Sequence, residues 1–309
     1  MVFELAKRDP RVVYIGSDLS PDLVERMKQE LPGRAFMEGV SEAHVIGMAA
    51  GLAMEGYIPF VHTIATFITR RCFEQVAVDL CLHNLPVRLI GNGGGLVYAP
   101  LGPTHLAIED MAIMRALPNM TVVAVCDADE MRRFMLQTLD WPGPIYIRLA
   151  KGFDPIVSSA ENSFKIGQAV VMRKAAAESG YVLMVSTGVM TTRALEASDL
   201  LANQGIDTTI LHLHTVKPID AAALRRHAAK SALVVTLEEH TIIGGLGSAA
   251  TDVLVETMGR AVPSIKRIGL PDSFTHNYGS QDDLMELYGL QPPQIAATVR
   301  EALREMALA

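Results

Sequence analysis

Glu42 lies at the start of a segment whose residue types suit a buried catalytic acid. The residues that follow are unusually small, among them Gly47, Ala49, Ala50, Gly51 and Ala53. A plain alternative is an ordinary helix start, in which Ser41 caps the helix and Glu42 favours the positive end of its dipole. A helix so rich in small apolar residues suits close packing against a partner, however, and a buried acid within it should be functional or paired.

A second segment, Ala65–Val76, combines aromatic residues with two adjacent arginines. Phe67 and Phe73 have a plain interpretation as core residues of a helix, and the arginines as solvated side chains. Arg70 and Arg71 also have the types and position to hold an anion near a helix start. Both interpretations stay open on the residues alone.

A glycine-rich stretch, 91–95, leads into the run Gly102–His105. Glycines allow the backbone to approach a ligand closely, although many loops contain them. His105 closes this loop at the carboxyl end of a predicted strand, which is where α/β sheets place ligands. We therefore keep His105 as a candidate for a functional residue beside a purely structural role.

The second half of the chain offers weaker candidates. The segment 238–248 follows a strand with a glycine-rich loop, which could bind an anion, but it departs from the dinucleotide-binding pattern. We favour a structural or interface loop there. His212 and His214 alternate along a predicted strand, and without a third ligand they do not predict a metal site.

Short apolar runs alternate along the whole chain with segments whose apolar residues have helical spacing. The predicted strands are Arg11–Ile15, Pro59–His62, Val87–Ile90, Thr121–Val125, Ile145–Ile147, Tyr181–Val185, Thr208–His212 and Leu233–Leu237. The predicted helices are Ser20–Glu30, Glu42–Glu55, Thr66–His83, Ala107–Ala116, Asp127–Leu139, Val189–Gln204, Ile219–Ala229, Leu246–Met258 and Pro292–Ala307. This alternation predicts two α/β domains in series, each a mostly parallel sheet flanked by helices.

A polar, aperiodic stretch from Lys151 to Gly167 separates the two halves. We therefore predict a first domain over residues 1–155, a linker over 156–166 and a second domain over 167–309. Ser20 and Asp127 are predicted helix caps.

The bulk composition excludes several classes of protein. The 309 residues are half hydrophobic and carry a net charge of −7, which suits an oligomeric globular protein and argues against nucleic-acid binding. No apolar run approaches the ~20 residues that a membrane span needs. Cysteines 72, 81 and 126 show neither metal spacing nor a pairing framework, and the first residues lack a signal-peptide pattern. We expect a cytoplasmic protein with reduced thiols.

These motifs, taken in order, resemble the C-terminal two-thirds of transketolases, and the resemblance covers nearly the whole chain. The matching segments are Tyr14–Leu19, Val40–His44, Thr66–Phe67, Gly102–His105, Arg148–Gly152 and Glu238–Ser248. Each segment alone is a weak signal, but their common order and spacing are specific. The resemblance implies a pyrimidine-binding domain followed by the transketolase C-terminal domain, with thiamine diphosphate as cofactor.

The resemblance assigns the cofactor-binding roles. Glu42 would hydrogen-bond to the pyrimidine ring nitrogen remote from the amino group and favour the imino tautomer, which activates the cofactor. Phe67 would lie against the aminopyrimidine ring, and with Phe73 it would form an apolar pocket around Glu42. Asp18, in the acidic turn after the first strand, would also belong to the cofactor site.

The resemblance also assigns the substrate-binding roles. His105 would be the second catalytic residue and would hydrogen-bond to oxygens of the donor and acceptor sugars. The residues that would bind substrate are Ser17, Arg70, Arg71 and Lys151. They would also provide a cation for a substrate phosphate. No residue of this chain is assigned to a metal.

A partner is implied by a missing motif. A full-length enzyme begins with a domain carrying Gly-Asp-Gly and a downstream asparagine, which hold Mg2+ and diphosphate, and this sequence contains no Gly-Asp-Gly. We therefore expect a chain that is inactive alone, that self-associates as β2 and that joins an N-terminal subunit in an α2β2 enzyme. Mg2+ would be held mainly by the partner, with thiamine diphosphate between the chains.

The substrate and some alternatives stay open. Ala99-Pro100-Leu101 replaces a more usual acidic-glycine pair, so a branched or sulfonated ketose is as open as xylulose 5-phosphate. The segment after Phe67 differs by one residue in length, which leaves Arg70 and Arg71 interchangeable. Rival assignments are the β subunit of a 2-oxo acid dehydrogenase, a 1-deoxyxylulose-5-phosphate-synthase-like enzyme, and a non-catalytic subunit that kept the fold. The run Pro103-Thr104-His105 favours a transketolase over the first rival.

Overall fold

A computed structural model describes residues 1–17, 19 and 21–308. The strands are β1 Val12–Gly16, β2 Ala35–Met37, β3 Ile58–Ile64, β4 Arg88–Asn92, β5 Thr121–Ala124, β6 Ile145–Leu149, β7 Val170–Arg173, β8 Tyr181–Ser186, β9 Thr208–His212, β10 Thr215–Lys217, β11 Ser231–Thr241 and β12 Ser264–Leu270. The helices are α1 Val2–Arg8, α2 Pro21–Glu30, α3 Glu42–Met54, α4 Phe73–Gln75, α5 Asp110–Ala116, α6 Ala128–Gln137, α7 Met190–Ala202, α8 Ala221–Ala228, α9 Leu246–Met258, α10 Gln281–Leu287 and α11 Pro292–Leu308.

The described strands form two sheets. The first has the order β10-β5-β6-β4-β3-β1-β2, and the second β12-β11-β8-β9-β7. Pairing is parallel except for β10 with β5 and β7 with β9. Strands such as β1 and β8 are buried at every position, as expected for sheets covered by helices on both faces. The predicted fold class is confirmed.

Helix α3 packs one face against the core and leaves its two glycines outside. Val45, Ile46 and Ala49 belong to the core on one face of the first sheet, whereas Gly47 and Gly51 are exposed. The face of α3 turned away from the core is therefore smooth enough for another backbone to approach closely.

The segment predicted as one helix, Thr66–His83, is irregular. It consists of a π-helical stretch Phe67–Arg71, the short α4 and a second π-helical stretch Val76–Cys81. A π-helical turn accommodates an additional residue in a helix, and such turns are frequent at functional sites. The segment whose length differs by one residue begins with the first of these stretches.

Several elements were not predicted. Strand β2 has only three residues, and β12 is an edge strand of mixed polarity. β10 forms because the chain returns from the second half to the edge of the first sheet, which is a long-range event that local patterns do not show. α1, α10 and β7 were also missed. Asp127 caps α6 as predicted, accepting hydrogen bonds from the amides of residues 129 and 130. Ser20 lies outside the described residues.

No helix within the described ranges combines the length and the apolar character needed to cross a lipid bilayer.

Candidate active site

The site is assembled from loops that follow parallel strands of the first sheet. Glu42 begins α3 after β2, Phe67 follows β3, and His105 lies on the loop after β4. The carboxyl ends of parallel strands lie at one edge of a sheet, which is the usual place for ligands in α/β folds. The structure therefore brings Glu42, Phe67 and His105 to one region.

Glu42 is buried, with 3% of its surface exposed. Its Oε2 accepts a hydrogen bond of 2.7 Å from Nη1 of Arg71. Ser41 makes no side-chain cap bond to the helix, and its hydroxyl donates instead to the carbonyl of Glu38. The simple capping interpretation is therefore wrong for Ser41, and the buried acid has the partner that its burial requires.

Phe67 contacts both Arg71, the partner of Glu42, and His105. The guanidinium carbon of Arg71 lies 4.3 Å from the centroid of the Phe67 ring, and the His105 ring meets Phe67 edge-on at 5.3 Å. The Thr66 hydroxyl donates to the carbonyl of His105 at 3.0 Å, and Thr104 hydrogen-bonds to its Nδ1 at 2.9 Å. These bonds fix the histidine loop against the aromatic ring.

The two adjacent arginines have different environments. Arg70 forms an ion pair with Glu109 and donates to the carbonyl of Leu106 at 2.8 Å, so it ties the histidine loop to the helical segment. Arg71 points to Glu42, and 45% of its side chain remains exposed. Sequence spacing could not distinguish the two arginines, because both lie in the same irregular turn.

The other predicted site residues are less directly connected in the single chain. Phe73 begins α4 with 36% of its surface exposed. Ser17 is buried at the end of β1, where its amide donates to the carbonyl of His62. Lys151 follows β6 and lines a cavity of about 200 Å³ together with Asp154. Asp18 lies outside the described residues.

Comparison with known proteins identifies the family of the chain. Residues 1–153 match the family "Transketolase, pyrimidine binding domain", and residues 170–295 match "Transketolase, C-terminal domain".

The chain belongs to the transketolase family.

Relatives within this family match almost end to end. A 6-deoxy-6-sulfo-D-fructose transketolase subunit from Clostridium sp. (strain MSTE9) is 39% identical over 97% of this chain and 91% of its own. One of the subunits of an apulose-4-phosphate transketolase from Phocaeicola vulgatus is 30% identical, covering 98% and 95%. A solved structure described as a split gene transketolase, inactive beta4 tetramer, has a TM-score of 0.88 and 35% identity, covering 98% and 95%.

This transketolase chain therefore corresponds to the C-terminal subunit of a split enzyme, as the motifs predicted. It is a transferase subunit, and its pyrimidine-binding domain implies thiamine diphosphate as the cofactor. A subunit of this kind also implies a second, complementary subunit.

A buried polar network beneath the transketolase site was not predicted. Arg148 Nε donates to Asp110 at 2.8 Å, and its Nη2 donates to the carbonyl of Glu239 at 2.9 Å in the second sheet. Tyr146 also donates to Asp110, at 2.6 Å. Although burial opposes its charge, the carboxylates of Asp110 and Glu239 raise the pKa of Arg148. The network joins the two halves of the chain.

The glycine run beside this network has a packing role. Gly95 has a φ of +75°, and a Cβ at that position would clash with Cδ of Glu239. Glu239 Oε1 in turn accepts from the amide of Leu96 at 2.6 Å and from Gln281 at 2.9 Å. The missing side chain at Gly95 thus leaves room for the buried Glu239, whereas the sequence analysis considered only the close approach of a ligand. The glycine run was the one signal in the sequence for this network.

The structure gives His212 the neighbours that sequence spacing could not show. Its Nε2 lies 3.0 Å from Oε2 of Glu130, and Cys126 lies close enough to complete a three-residue group of possible metal ligands. His212 Nδ1 is hydrogen-bonded to Thr191 at 2.8 Å, and the Cys126 amide donates to Glu130 at 2.7 Å. These hydrogen bonds explain the group as a polar contact between the two halves of the chain. This group contains His212 but not His214, so it does not test the prediction made from the two histidines, and the absence of a metal stays a prediction.

Glu238 should make stability depend on pH. Burial raises its pKa to about 7, against the hydrogen bonds it accepts from the amides of Leu246 and Gly247 at the start of α9. Since the unfolded acid ionises near pH 4.5, Glu238 holds an extra proton in the folded chain between these values, and its contribution to stability falls as pH rises from about 4.5 to about 7. The expected loss from this one group is about 3 kcal/mol.

Urea unfolding at pH 4.5 and pH 7.5 measures this effect, with Glu238→Gln as the test variant and Glu196→Gln, at an exposed position on α7, as the matched control. The control should keep the wild-type change in stability between the two pH values, and the test variant should differ from it by the contribution of Glu238. An unchanged slope in Glu238→Gln would contradict the assignment.

Proposed function

We propose that this chain supplies the pyrimidine-binding half of a thiamine diphosphate-dependent active site that transfers a two-carbon ketol unit from a ketose donor to an aldose acceptor. The observation that carries the proposal is the buried Glu42 carboxylate, directed at a flat nitrogen-bearing group that lies on Phe67. In this chain that group is the Arg71 guanidinium.

The residues present fit the pyrimidine end of the cofactor. A flat ring on Phe67 would have one face on an aromatic surface and a ring nitrogen within reach of Glu42. The buried surroundings of Glu42 exclude water from its carboxyl group, so proton sharing with that nitrogen would not compete with solvent. The diphosphate and Mg2+ fall to the partner subunit in this proposal, since this sequence has no Gly-Asp-Gly.

When bound, the cofactor supplies the electron sink for cleavage of a carbon–carbon bond. The chain's own residues have simpler tasks. Glu42 holds and returns a proton at the pyrimidine nitrogen, and Phe67 fixes the ring plane. His105, held by Thr66 and Thr104, donates to or accepts from sugar oxygens. Phe73, Ser17 and Asp18 complete the site when the partner covers it.

The substrate is proposed to be a ketose with an anionic end group. Relatives act on a sulfonated fructose and on apulose 4-phosphate, and both carry such a group. Lys151 lines a cavity at the strand ends, where its ammonium group is placed to pair with a phosphate or a sulfonate. Arg70 is a weaker candidate for binding this anionic group, because its guanidinium is already paired with Glu109.

Assembly is proposed to involve the exposed face of α3. His44, Gly47 and Gly51 are exposed there, and Met54 has 59% of its surface exposed. The two exposed glycines permit close helix packing between chains, and Met54 adds apolar surface to this face. We propose an α2β2 enzyme in a reducing, cytoplasmic setting, consistent with the three buried free cysteines. Within each chain we retain residues 1–155 and 167–309 as domains and 156–166 as the linker.

Native mass spectrometry of this chain mixed with the N-terminal subunit from the same organism tests the assembly. Two copies of each chain should associate in the presence of thiamine diphosphate and Mg2+. Gly47→Leu should prevent assembly without unfolding the chain, because a Cβ at Gly47 meets nothing within 4 Å. Glu196→Leu places the same side chain on the exposed surface of α7 and should assemble normally. Normal assembly by Gly47→Leu would exclude α3 as the contact face.

A further inference from the structure

We infer that Arg71 is a placeholder for the aminopyrimidine ring. Its guanidinium pairs with Glu42 and lies on Phe67, the two groups proposed to hold the ring, so the cofactor would have to displace it. This inference rests on the proposed function, and it adds a binding-site residue whose role is to compete with the cofactor.

The first argument is the pair of contacts that the guanidinium makes. It donates to Oε2 of Glu42 at 2.7 Å, and it lies over the Phe67 ring with 4.3 Å between its central carbon and the ring centroid. A guanidinium is planar, carries N–H donors in its plane and stacks on aromatic faces. An aminopyrimidine would need the same acid and the same aromatic ring, so the two groups cannot occupy the site together.

The second argument is the contrast with Arg70. Arg70 is committed to Glu109 and to the carbonyl of Leu106, so it holds the histidine loop in place. Among the described contacts of Arg71, the polar one goes to Glu42 and the other to Phe67. Since 45% of the Arg71 side chain is already exposed, it can move into solvent by giving up only those two contacts.

The third argument is the state of Glu42 without a partner. A buried carboxylate that loses its cation is strongly destabilising, so the free subunit needs a group at this position. Arg71 supplies it, and the cofactor takes over when the enzyme assembles. A group that fills a site most of the time lowers the apparent affinity of the competing ligand by the fraction of time that the site is open.

The test measures binding of a probe that contains only the contested part of the cofactor. The probe is 4-amino-5-hydroxymethyl-2-methylpyrimidine, and its binding to the purified full chain is followed by ligand-observed NMR and isothermal titration. The chains compared are wild type, Arg71→Ala, the double variant Arg71→Ala/Glu42→Gln and Arg132→Ala. Arg132 is the matched control, because 70% of its side chain is exposed and it pairs with Asp129 on the surface of α6.

Arg71→Ala should bind the probe about 10-fold more tightly than wild type, as expected for a site otherwise filled about nine-tenths of the time. Without probe, the same variant should unfold at a temperature several degrees lower, because Glu42 loses its partner. Arg132→Ala should match wild type in both measurements. Arg71→Ala/Glu42→Gln should bind the probe more weakly than Arg71→Ala, because neither chain has the competing guanidinium and the two differ only at the acid.

The outcomes separate this inference from the proposed function. If Arg71→Ala binds the probe no more tightly than wild type while Arg71→Ala/Glu42→Gln loses binding, the placeholder role is wrong and the cofactor site stands. If Arg71→Ala/Glu42→Gln binds the probe as well as Arg71→Ala does, the cofactor site is wrong and the placeholder role falls with it. A higher affinity in Arg71→Ala together with a loss in the double variant supports both.

Discussion

Replacing Glu42 by glutamine is expected to reduce ketol transfer by the assembled enzyme by about 100-fold or more, the scale of a lost general acid–base group. Glutamine preserves the shape of the side chain, but it cannot share a proton with a ring nitrogen. The Glu42 carboxyl is buried, so water is poorly placed to substitute for it. Initial rates with saturating thiamine diphosphate and Mg2+ measure the chemical loss separately from weaker cofactor binding.

Glu55→Gln is the matched control for this prediction. Glu55 follows the other end of α3 and is exposed, so the same chemical change there should leave the rate within a factor of two or so of wild type, as surface substitutions usually do. Near-normal transfer by Glu42→Gln would show that this acid does not activate the cofactor.

Arg148→Met is expected to lower the free energy of unfolding by about 3–5 kcal/mol. The change leaves Asp110 buried at 1% exposure without its cation, and it removes the donor to the carbonyls of Ala107 and Glu239. Because these groups lie in both halves of the chain, the halves should also separate more easily. Urea unfolding followed by circular dichroism measures the loss.

Two comparisons make this second prediction specific. Arg132→Met removes an exposed ion pair and should change stability by no more than about 0.5 kcal/mol. The double variant Arg148→Met/Asp110→Asn removes both charges and should recover part of the loss, since the two residues are directly coupled. A loss below about 1 kcal/mol in Arg148→Met, well under the range for a broken buried pair, would show that the network is not stabilising.

Much of the site could be predicted because its chemistry is local in sequence. Glu42 stands at the start of its helix, Phe67 directly follows a strand, and His105 ends a glycine-rich loop, so each lies near a strand's carboxyl end. The parallel sheets could also be predicted, because strand and helix patterns are local in sequence. The resemblance to transketolases added the proposed roles of these residues. The comparison with known proteins confirmed the family, and the roles stay predictions.

The features that were missed depend on contacts between distant segments. The choice between Arg70 and Arg71 depends on Glu109 and Glu42, which lie far from both in sequence. β10 exists because β5 offers it an open edge, and Glu130 meets His212 only when the two halves pack together. Periodicity describes the face of an element, but it does not say which element covers that face.

Reconstitution of transfer tests the central claim most directly. This chain, the N-terminal subunit of the same organism, thiamine diphosphate and Mg2+ would be combined with a panel of ketose donors that includes phosphorylated, sulfonated and branched sugars, each with an aldose acceptor. The account predicts two-carbon transfer from at least one donor when both chains and the cofactor are present, and none when any of the three is omitted. Transfer by this chain without the N-terminal subunit, or no transfer from any donor by an assembled, cofactor-loaded complex, would contradict it.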